Sequence, residues 1–501
     1  MLNNTRILDC TIRDGGYYNK WNFSKFFLDD YLELISALNI DWVEIGFRKL
    51  ILDKSYGNFI SCNENFLNKI KFPKKIKVAV MIDCADFKSG ENFNKLKKIF
   101  PSKKKSKISM IRIASSHEDL VHLKKIILFF KKKDYLVSVN LMKFTLLKKN
   151  QILNFFLQLK KLNCDFFYLA DSFGNCKPSQ FKKILQTIKK KIDLSIFGYH
   201  GHNNFNLAYK NALLGKKLGI GLVDTSVNGM GRGAGNLLLE DYIKNDLNIY
   251  QKKILKKFLN KHMSKLKKIY SWGPNQAYYY SAKNSIHPTY VQNLLSEKKF
   301  NKQTIKTTLT FLKNKNSKIY DPNIFDDFFL KLNKNRNLKF QYPHDNITLL
   351  CNNQSLKTKK FDSKNSSSTA SLNLNKFIKH DKYDYLFICH PFRLMTEIDS
   401  LNRLKKKLIM PKFNILNKIK KPLLSPIFYN FFQSEKLIIK KNHCSYNKNL
   451  VLAYALSFCL EKKIKEIRIY GLSNNNSNNK LIKIFNSYLK KSRSKTLINV
   501  I

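Results

Sequence analysis

Residues 196–212 read IFGYHGHNNFNLAYKNA, an apolar run that leads into two histidines one residue apart and then into a helical pattern. Side chains at positions i and i+2 of a β-strand point to the same side. A strand over residues 194–200 would therefore present His200 and His202 together as it enters its loop. Imidazole pairs at this spacing suit a divalent metal; a pair of ordinary polar loop residues is the alternative.

The same strand–loop–helix unit recurs along the first half of the chain. Strand starts lie about 25 to 36 residues apart, and eight units over about 240 residues match the count and length of a (β/α)₈ barrel. A doubly wound open sheet would need fewer strands and a glycine-rich first turn, whereas the first turn, RDGGYY, lacks the GxGxxG spacing. The predicted strands cover residues 6–12, 42–47, 77–82, 109–114, 136–141, 166–170, 194–200 and 221–227.

After about residue 250 the pattern changes. We predict three parts: a metal-dependent, aldolase-like TIM barrel over 1–250, a helical extension packing on it over 251–340, and a smaller C-terminal α/β domain over 341–501. The polar stretch TKKFDSKNSSSTASLNLN, residues 358–375, is typical of a linker or exposed loop. No motif in the last part is specific enough to predict its role.

Composition limits the classes of protein that fit. No long uncharged apolar stretch is present, so we expect no membrane span, and the amino-terminal residues have no secretory signal pattern. Nine cysteines without a CxxC pair favour reduced thiols in a cytoplasm. The net charge of +57 comes from lysine, since only ten of the 92 basic residues are arginine. Nucleic-acid readers depend on arginine, so we expect no specific nucleic acid as a partner.

Polar side chains fall at the predicted carboxyl ends of the strands, where TIM barrels carry their chemistry. Asp14, His200 and His202 form a carboxylate-and-two-imidazole set that fits a divalent ion, with Asn236 as a fourth ligand. Mn²⁺ is favoured, with Mg²⁺, Co²⁺ or Zn²⁺ as alternatives. The remaining strand-end residues are Arg13, Glu44, Asp83, Arg112, Asn140, Asp171 and Asn228.

Five segments, LDCTIRDGG, VEIGF, LADSFG, GYHGHNN and NGMGRGAGN, resemble in order and spacing those of the DRE-TIM metallolyase superfamily. The resemblance covers about residues 3–245 and is strongest to the 4-hydroxy-2-oxovalerate aldolase branch. It implies that Asp14, His200 and His202 bind the metal, that Arg13 stabilises an enolate, and that Glu44 positions Arg13. Asn236 matches a metal ligand of some branches only. We assign substrate binding to Arg112, Asn140 and Asp171.

One position departs from the aldolase pattern. Those enzymes have a catalytic histidine three residues after the metal aspartate, where this chain has Tyr17. A tyrosine with a pKa near 10 is a poor base unless a cation lowers that pKa, which Arg13 or the metal could do. His287 is the alternative catalytic base, although a helix cap before Pro288 explains it equally well.

We therefore expect an enzyme, a divalent-metal-dependent C–C lyase that cleaves or forms a bond next to a 2-oxo acid such as pyruvate, with an aldehyde as partner. A Claisen-type acyltransferase that joins acetyl-CoA to a 2-oxo acid is the first alternative. A non-catalytic polyanion-binding protein with a vestigial barrel is the second. Assembly into a homo-oligomer is left open.

Overall fold

The computed structural model describes most of the chain. The described residues are 5–50, 55–296, 300, 302–315, 317–321, 324, 343–351, 369–372, 383–391, 394, 401, 407–411, 426–434, 436–440, 443–446, 450–472 and 476–501. They form two compact units, residues 1–320 and 321–501. The three-part division of the sequence stays a prediction.

Eight parallel strands close into a barrel in the first unit, so the predicted (β/α)₈ fold is confirmed. β1 pairs with β2 on one side and with β8 on the other, which closes the ring. The strands are β1 (Arg6–Asp9), β2 (Trp42–Phe47), β3 (Lys77–Asp83), β4 (Ile108–Ser115), β5 (Leu136–Met142), β6 (Phe166–Asp171), β7 (Phe197–Gly201) and β8 (Leu222–Thr225).

Helices follow the strands and cover the barrel with apolar faces of helical period. They are α1 (Thr11–Asn19), α2 (Lys25–Ala37), α3 (Glu64–Asn68), α4 (Gly90–Ile99), α5 (Leu120–Lys131), α6 (Lys149–Lys160), α7 (Pro178–Lys189), α8 (Ala208–Leu218) and α9 (Leu239–Ile243). The later helices of this unit are α10 (Ile249–Phe258), α11 (Ser264–Tyr270), α12 (Gln276–Lys283), α13 (Pro288–Ser296) and α14 (Lys302–Lys313). Among the described residues, no helix is long and apolar enough to cross a membrane.

The barrel interior changes from apolar to polar along the strands. A buried apolar cluster of Leu8, Cys10, Trp42, Ala79, Met110, Phe166, Tyr168 and Leu222 fills its lower part. Glu44, Arg112 and Asp224 are buried and follow Trp42, Met110 and Leu222 by two positions, so they point to the same inward side of the barrel. The strand period of two therefore places charged groups above an apolar plug, at the end where barrel enzymes carry their sites.

The predicted end of the first strand is wrong. β1 stops at Asp9, and Arg13, Asp14 and Tyr17 lie on helix α1 rather than at a strand end. The Asp9 carboxylate accepts the backbone N–H of Thr11 at 2.9 Å, which turns the chain into the helix. Asp14 and Tyr17 are three residues apart and therefore lie on one face of α1.

The described strands of the second unit are β9 (Asn346–Leu350), β10 (Thr369–Ser371), β11 (Tyr385–Phe387), β12 (Lys407–Met410), β13 (Pro426–Phe428), β14 (Asn430–Gln433), β15 (Ile438–Lys440), β16 (His443–Tyr446), β17 (Glu466–Tyr470) and β18 (Leu497–Val500). They form a seven-stranded parallel sheet of order β13-β12-β11-β10-β9-β17-β18 and a three-stranded sheet of order β14-β16-β15. The helices among the described residues of this unit are α15 (Val451–Glu461) and α16 (Asn476–Ser492).

The linker predicted over 358–375 is wrong in its second half. Thr369–Ser371 forms strand β10, which pairs with β9 on one side and β11 on the other. Ala370 is fully buried there, so the strand is held by packing that its polar neighbours do not reveal. Residues 358–368 and 373–375 of the predicted linker lie outside the described residues.

Candidate metal centre

Three buried side chains converge at the upper end of the barrel. Asp14 from α1, His200 from β7 and His202 just after β7 each place one ligand atom within 4.8 Å of the others. The two imidazole centroids lie 5.0 Å apart with their planes at 89°. The structure thus brings together residues that are 188 positions apart in the chain, in the combination that the sequence predicts for a metal.

The protonation of these groups suits a cation. Although burial alone would raise it, the pKa of Asp14 is held below its usual range by the Arg13 guanidinium, so the carboxylate is ionised. Burial lowers the pKa of His202 to about 3 against the opposing charge of Asp14, so this imidazole is neutral. Its Nδ1 is buried and has no hydrogen-bond partner among the described residues. An orphaned, neutral imidazole nitrogen beside a carboxylate fits a divalent ion.

A buried carboxylate orients the His200 imidazole. Its Nδ1 lies 2.9 Å from Asp224 Oδ2, which leaves Nε2 for a ligand role. Asp224 also accepts from Nη2 of Arg112 at 2.6 Å, and both residues are fully buried. Carboxylates that hold a ligating imidazole in this way fix its tautomer and raise its basicity. Asp224 was not predicted from the sequence, where its only signal was an acidic residue inside an apolar strand.

Asn236 contacts the candidate ligand Asp14. Its Nδ2 donates to Asp14 Oδ2 at 2.7 Å, and its Oδ1 is buried without a hydrogen-bond partner among the described residues. A second grouping of potential ligands, Cys10 with His200 and Asp224, also exists. Burial raises the pKa of the Cys10 thiol well above its usual value, and Asp224 is already engaged by Arg112, so the Asp14 grouping suits a metal better.

Arg13 is buried between two carboxylates. Its Nε donates to Glu44 Oε2 and its Nη1 to Asp14 Oδ1, both at 2.6 Å. Glu44 therefore fixes the direction of the guanidinium. The guanidinium is therefore held in one orientation beside the candidate metal ligands, and no side-chain rearrangement is needed to bring its positive charge there.

The residues predicted to bind substrate have other contacts. Arg112 ion-pairs with Asp224 and Glu44 and lies over the ring of Tyr168, inside the barrel. The Asp171 oxygens accept the backbone N–H groups of Asn175 and Cys176, which ties down their own loop. Asn140 is buried and accepts from Ser138. These contacts favour supporting roles, and substrate binding by the three stays a prediction.

Tyr17 and His287, the two predicted proton-transfer residues, have opposite pKa shifts. Burial raises the pKa of the Tyr17 phenol, and the charge of nearby Arg232 opposes this shift without reversing it. Burial, followed by the charges of Arg232 and Lys143, lowers the pKa of His287 well below its usual value. The Tyr17 hydroxyl therefore keeps its proton at neutral pH, and His287 is uncharged.

Arg232 is a site residue that the sequence analysis did not single out. It lies in the glycine-rich loop after β8, with its guanidinium carbon 5.3 Å from the centroid of the Tyr17 ring. The loop is pinned because Asn203 N–H donates to the Gly235 carbonyl at 2.9 Å and the Tyr18 hydroxyl donates to the Gly233 carbonyl at 2.7 Å. Because the chain has only ten arginines against 82 lysines, the presence of an arginine in this loop was the sequence feature that could have identified Arg232 as a site residue.

Comparison with known proteins agrees with this architecture. The N-terminal domain of an aldolase candidate from Bacteroides vulgatus has a crystal structure that superposes with a TM-score of 0.51 and 28% identity, covering 58% of this chain and 97% of that chain. A 4-hydroxy-2-oxovalerate aldolase from Geobacillus genomosp. 3 is 24% identical over 238 residues, or 47% of this chain and 68% of the aldolase.

Synthases are also among the relatives. The 2-isopropylmalate synthase 2 of Caldanaerobacter subterraneus subsp. tengcongensis is 34% identical over 115 residues, which is 23% of this chain and 30% of that enzyme. This chain thus spans less than a third of the synthase. The HMGL-like family matches residues 4–270, more than half of the chain. The chain therefore belongs to the HMGL-like family, an enzyme group that contains both lyases and acyl-transferring synthases.

Proposed function

We propose that this protein is a divalent-metal-dependent aldolase that forms or cleaves the C–C bond next to a 2-oxo acid such as pyruvate. The observation that carries the proposal is the convergence of Asp14, His200 and His202 beside the buried guanidinium of Arg13. The similarity to aldolases along the barrel supports it. The matched part of the chain is the barrel, so we assign the chemistry to the first unit.

Asp14, His200 and His202 would hold the ion, with Asn236 Oδ1 as a further ligand. A bound divalent ion would supply Lewis-acid stabilisation of the negative charge that develops on the carbonyl oxygen of the 2-oxo acid. Mn²⁺ is our first choice because mixed nitrogen and oxygen ligands suit it. Asp224 and Arg112 keep His200 in the tautomer that leaves Nε2 free.

Arg13 would donate hydrogen bonds to the enolate oxygen of the 2-oxo acid. Its Nε and one terminal nitrogen are engaged by Glu44 and Asp14, which fixes the orientation of the remaining donors. Preorganised donors of this kind lower the barrier because no reorganisation is needed as charge develops. Glu44 is therefore a positioning residue in this proposal.

The Tyr17 hydroxyl would give its proton to the aldehyde oxygen during condensation. Its raised pKa keeps that proton in place at neutral pH, and no side-chain hydrogen bond ties the hydroxyl among the described residues. His287 would then act as a neutral hydrogen-bond donor. Its Nδ1 accepts the Thr289 N–H at 3.4 Å, which leaves the proton on Nε2.

Deuterium exchange into pyruvate tests the proposal without knowledge of the aldehyde. The metal-loaded protein in D₂O should label the pyruvate methyl group, read by mass spectrometry, because enolate formation releases a methyl proton to the solvent and the reverse step takes a deuteron from it. Asp14→Asn should abolish labelling and lower the bound metal towards zero by elemental analysis. Lys217→Gln, at an exposed residue of α8, is the control. A metal-loaded wild type that labels no faster than free metal would disprove the proposal.

The Claisen-type acyltransferase stays the rival, favoured by the similarity to a 2-isopropylmalate synthase. Incubation with a 2-oxo acid and acetyl-CoA, with a thiol reagent to detect free CoA, separates the two. CoA release that requires the 2-oxo acid supports the rival, and condensation with aldehydes supports the aldolase. The cytoplasmic location and a homo-oligomeric state stay predictions.

A further inference from the structure

One buried arginine, Arg112 on β4, lies between two carboxylates from other strands of the barrel. Its Nη1 lies 3.0 Å from Glu44 Oε2, and its Nη2 donates to Asp224 Oδ2 at 2.6 Å. All three side chains are buried. Because removing one partner of such a pair leaves an uncompensated buried charge, the three groups depend on one another.

Each of these carboxylate oxygens also serves a second group, and that group belongs to the candidate metal centre. Glu44 Oε2 accepts the Nε–H of Arg13 at 2.6 Å. Asp224 Oδ2 lies 2.9 Å from Nδ1 of His200. One oxygen therefore joins Arg112 to the proposed enolate donor, and another joins it to a candidate metal ligand.

These contacts form one continuous chain of ion pairs and hydrogen bonds across the barrel interior. In order, its members are Asp14, Arg13, Glu44, Arg112, Asp224 and His200. Both ends of the chain are candidate metal ligands, and Arg112 lies between its two halves. In a buried network of this kind, a change at one member alters the energies of the others.

Aromatic packing fixes the position of Arg112. Its guanidinium carbon lies 4.3 Å from the centroid of the Tyr168 ring, which is a cation–π contact. The ring packs against Gly198 on β7, where an added Cβ would lie 2.3 Å from ring carbon Cε1. Gly198 precedes His200 by two positions, so the strand that carries a candidate ligand also supports the ring beneath Arg112.

We propose that Arg112 is a positioning residue that couples the orientation of Arg13 to that of the candidate metal ligand His200. It does so by holding Glu44 and Asp224, the two carboxylates on which those side chains depend. The inference rests on the proposed function only for the role of Arg13 as the donor to the enolate. A planar guanidinium binds two carboxylates through separate nitrogens, whereas the ammonium of a lysine is a point charge. Loss of the guanidinium therefore loosens both ends of the chain at once.

Arg112→Lys in the full-length protein tests the coupling with one measurement at each end. Titration calorimetry with Mn²⁺ should show binding weakened by about 10-fold, the lower end of the range for lost support behind a ligating imidazole. Because the chain has only ten arginines, ¹⁵N-arginine labelling gives few Nε–H signals by NMR, and Arg13→Lys identifies the signal of Arg13. In the metal-free protein, this N–H should exchange with solvent about 10-fold faster in Arg112→Lys than in the wild type.

Arg48→Lys is the matched control for the loss of a buried arginine. Arg48 is 1% exposed, forms an ion pair with Glu64 at 2.8 Å and lies 4.5 Å from the centroid of the Phe100 ring. Neither partner is a candidate site residue. Urea denaturation should show a lower midpoint in both lysine variants, but only Arg112→Lys should change Mn²⁺ binding and the exchange at Arg13.

The outcomes are separable. Changes at both ends that Arg48→Lys does not share support the coupling, whereas a change at one end only, or equal changes in the two variants, overturns it. Should Arg112→Lys not fold, Asp224→Asn tests the same chain, because its effect reaches Arg13 through Arg112 and Glu44; an unchanged exchange rate at Arg13 then overturns the coupling. Neither measurement uses pyruvate, so failure of the proposed function is seen separately in the deuterium labelling.

Discussion

The substitution Asp224→Asn tests a residue that supports the candidate metal ligand His200 and leaves Asp14, His200 and His202 unchanged. Asp224 is fully buried, with Oδ2 2.6 Å from Arg112 Nη2 and 2.9 Å from His200 Nδ1. The amide keeps the shape of the side chain and removes its negative charge. Arg112 then keeps only Glu44 as a carboxylate partner, at 3.0 Å, and His200 Nδ1 faces an uncharged amide in place of a carboxylate acceptor.

Two magnitudes follow from this geometry. Breaking a buried ion pair from one side costs about 3 to 5 kcal/mol, and the remaining Glu44 contact favours the lower value, about 3 kcal/mol. For a unit of 320 residues, an unfolding entropy of about 2.1 cal/mol/K per residue converts that loss into a fall in Tm of about 4 to 5 °C. Loss of the carboxylate behind a ligating imidazole weakens metal binding by about 10- to 100-fold.

Tryptophan fluorescence measures the first magnitude cleanly because Trp21, Trp42 and Trp272 all lie in the first unit. Titration calorimetry with Mn²⁺ measures the second. Asp29→Asn is the control, since Asp29 is an exposed partner of Lys25 and should change neither value. An Asp224→Asn protein with the Tm and metal affinity of the wild type would refute the reasoning, because neither Arg112 nor His200 would then depend on that charge.

Three further substitutions, the last with a matched control, test other parts of the structure. Burial raises the pKa of Asp171 from 3.8 to about 6, so between these values the folded protein retains a proton that the unfolded chain releases. The free energy of unfolding therefore falls as the pH rises from 4 to 6. In urea denaturation with a chelator present, Asp171→Asn should remove up to about 3 kcal/mol of that pH dependence. Tyr17→Phe should slow aldehyde condensation by about 10²- to 10⁴-fold and leave pyruvate labelling intact, and equal loss of both would assign Tyr17 to enolate formation instead. Gly221→Ala places a Cβ 1.8 Å from the Ser195 carbonyl oxygen and should unfold the barrel at lower urea, whereas Gly90→Ala has nothing within 4 Å and should be neutral or stabilising.

The barrel was predictable because its signal is repeated. Strand-like runs alternate with amphipathic helical segments eight times, and a strand is correct in outline even when one end is misplaced, as at β1. The imidazole pair was predictable for the same local reason. The end of β1 was not, because it depends on a single contact, from the Asp9 carboxylate to Thr11 N–H, in a segment whose two glycines disfavour a helix.

Long-range pairing was the part that the sequence did not reveal. Arg112 and Asn140 both occupy inward positions near strand ends, and spacing alone predicts substrate contact for each. The structure gives Arg112 a partner 112 residues away, Asp224, which itself is an unremarked acidic residue in an apolar strand. Arg232 was missed because its loop was interpreted through its glycines. Its place in the site is seen only in the structure, where its guanidinium lies over the Tyr17 ring.

The electrostatics of the candidate site depend on its own pairs rather than on the net charge of +57. Exposed lysines beyond about 8 Å are screened at physiological salt, whereas buried pairs are not. Asp14, Glu44 and Asp224 together oppose Arg13 and Arg112, which leaves one net negative charge at the floor of the site. A divalent cation would reverse that sign and make the site attractive to the anion of a 2-oxo acid. Removing the ion should therefore weaken pyruvate binding more than a change of salt does, because the charge that attracts it is the ion's own.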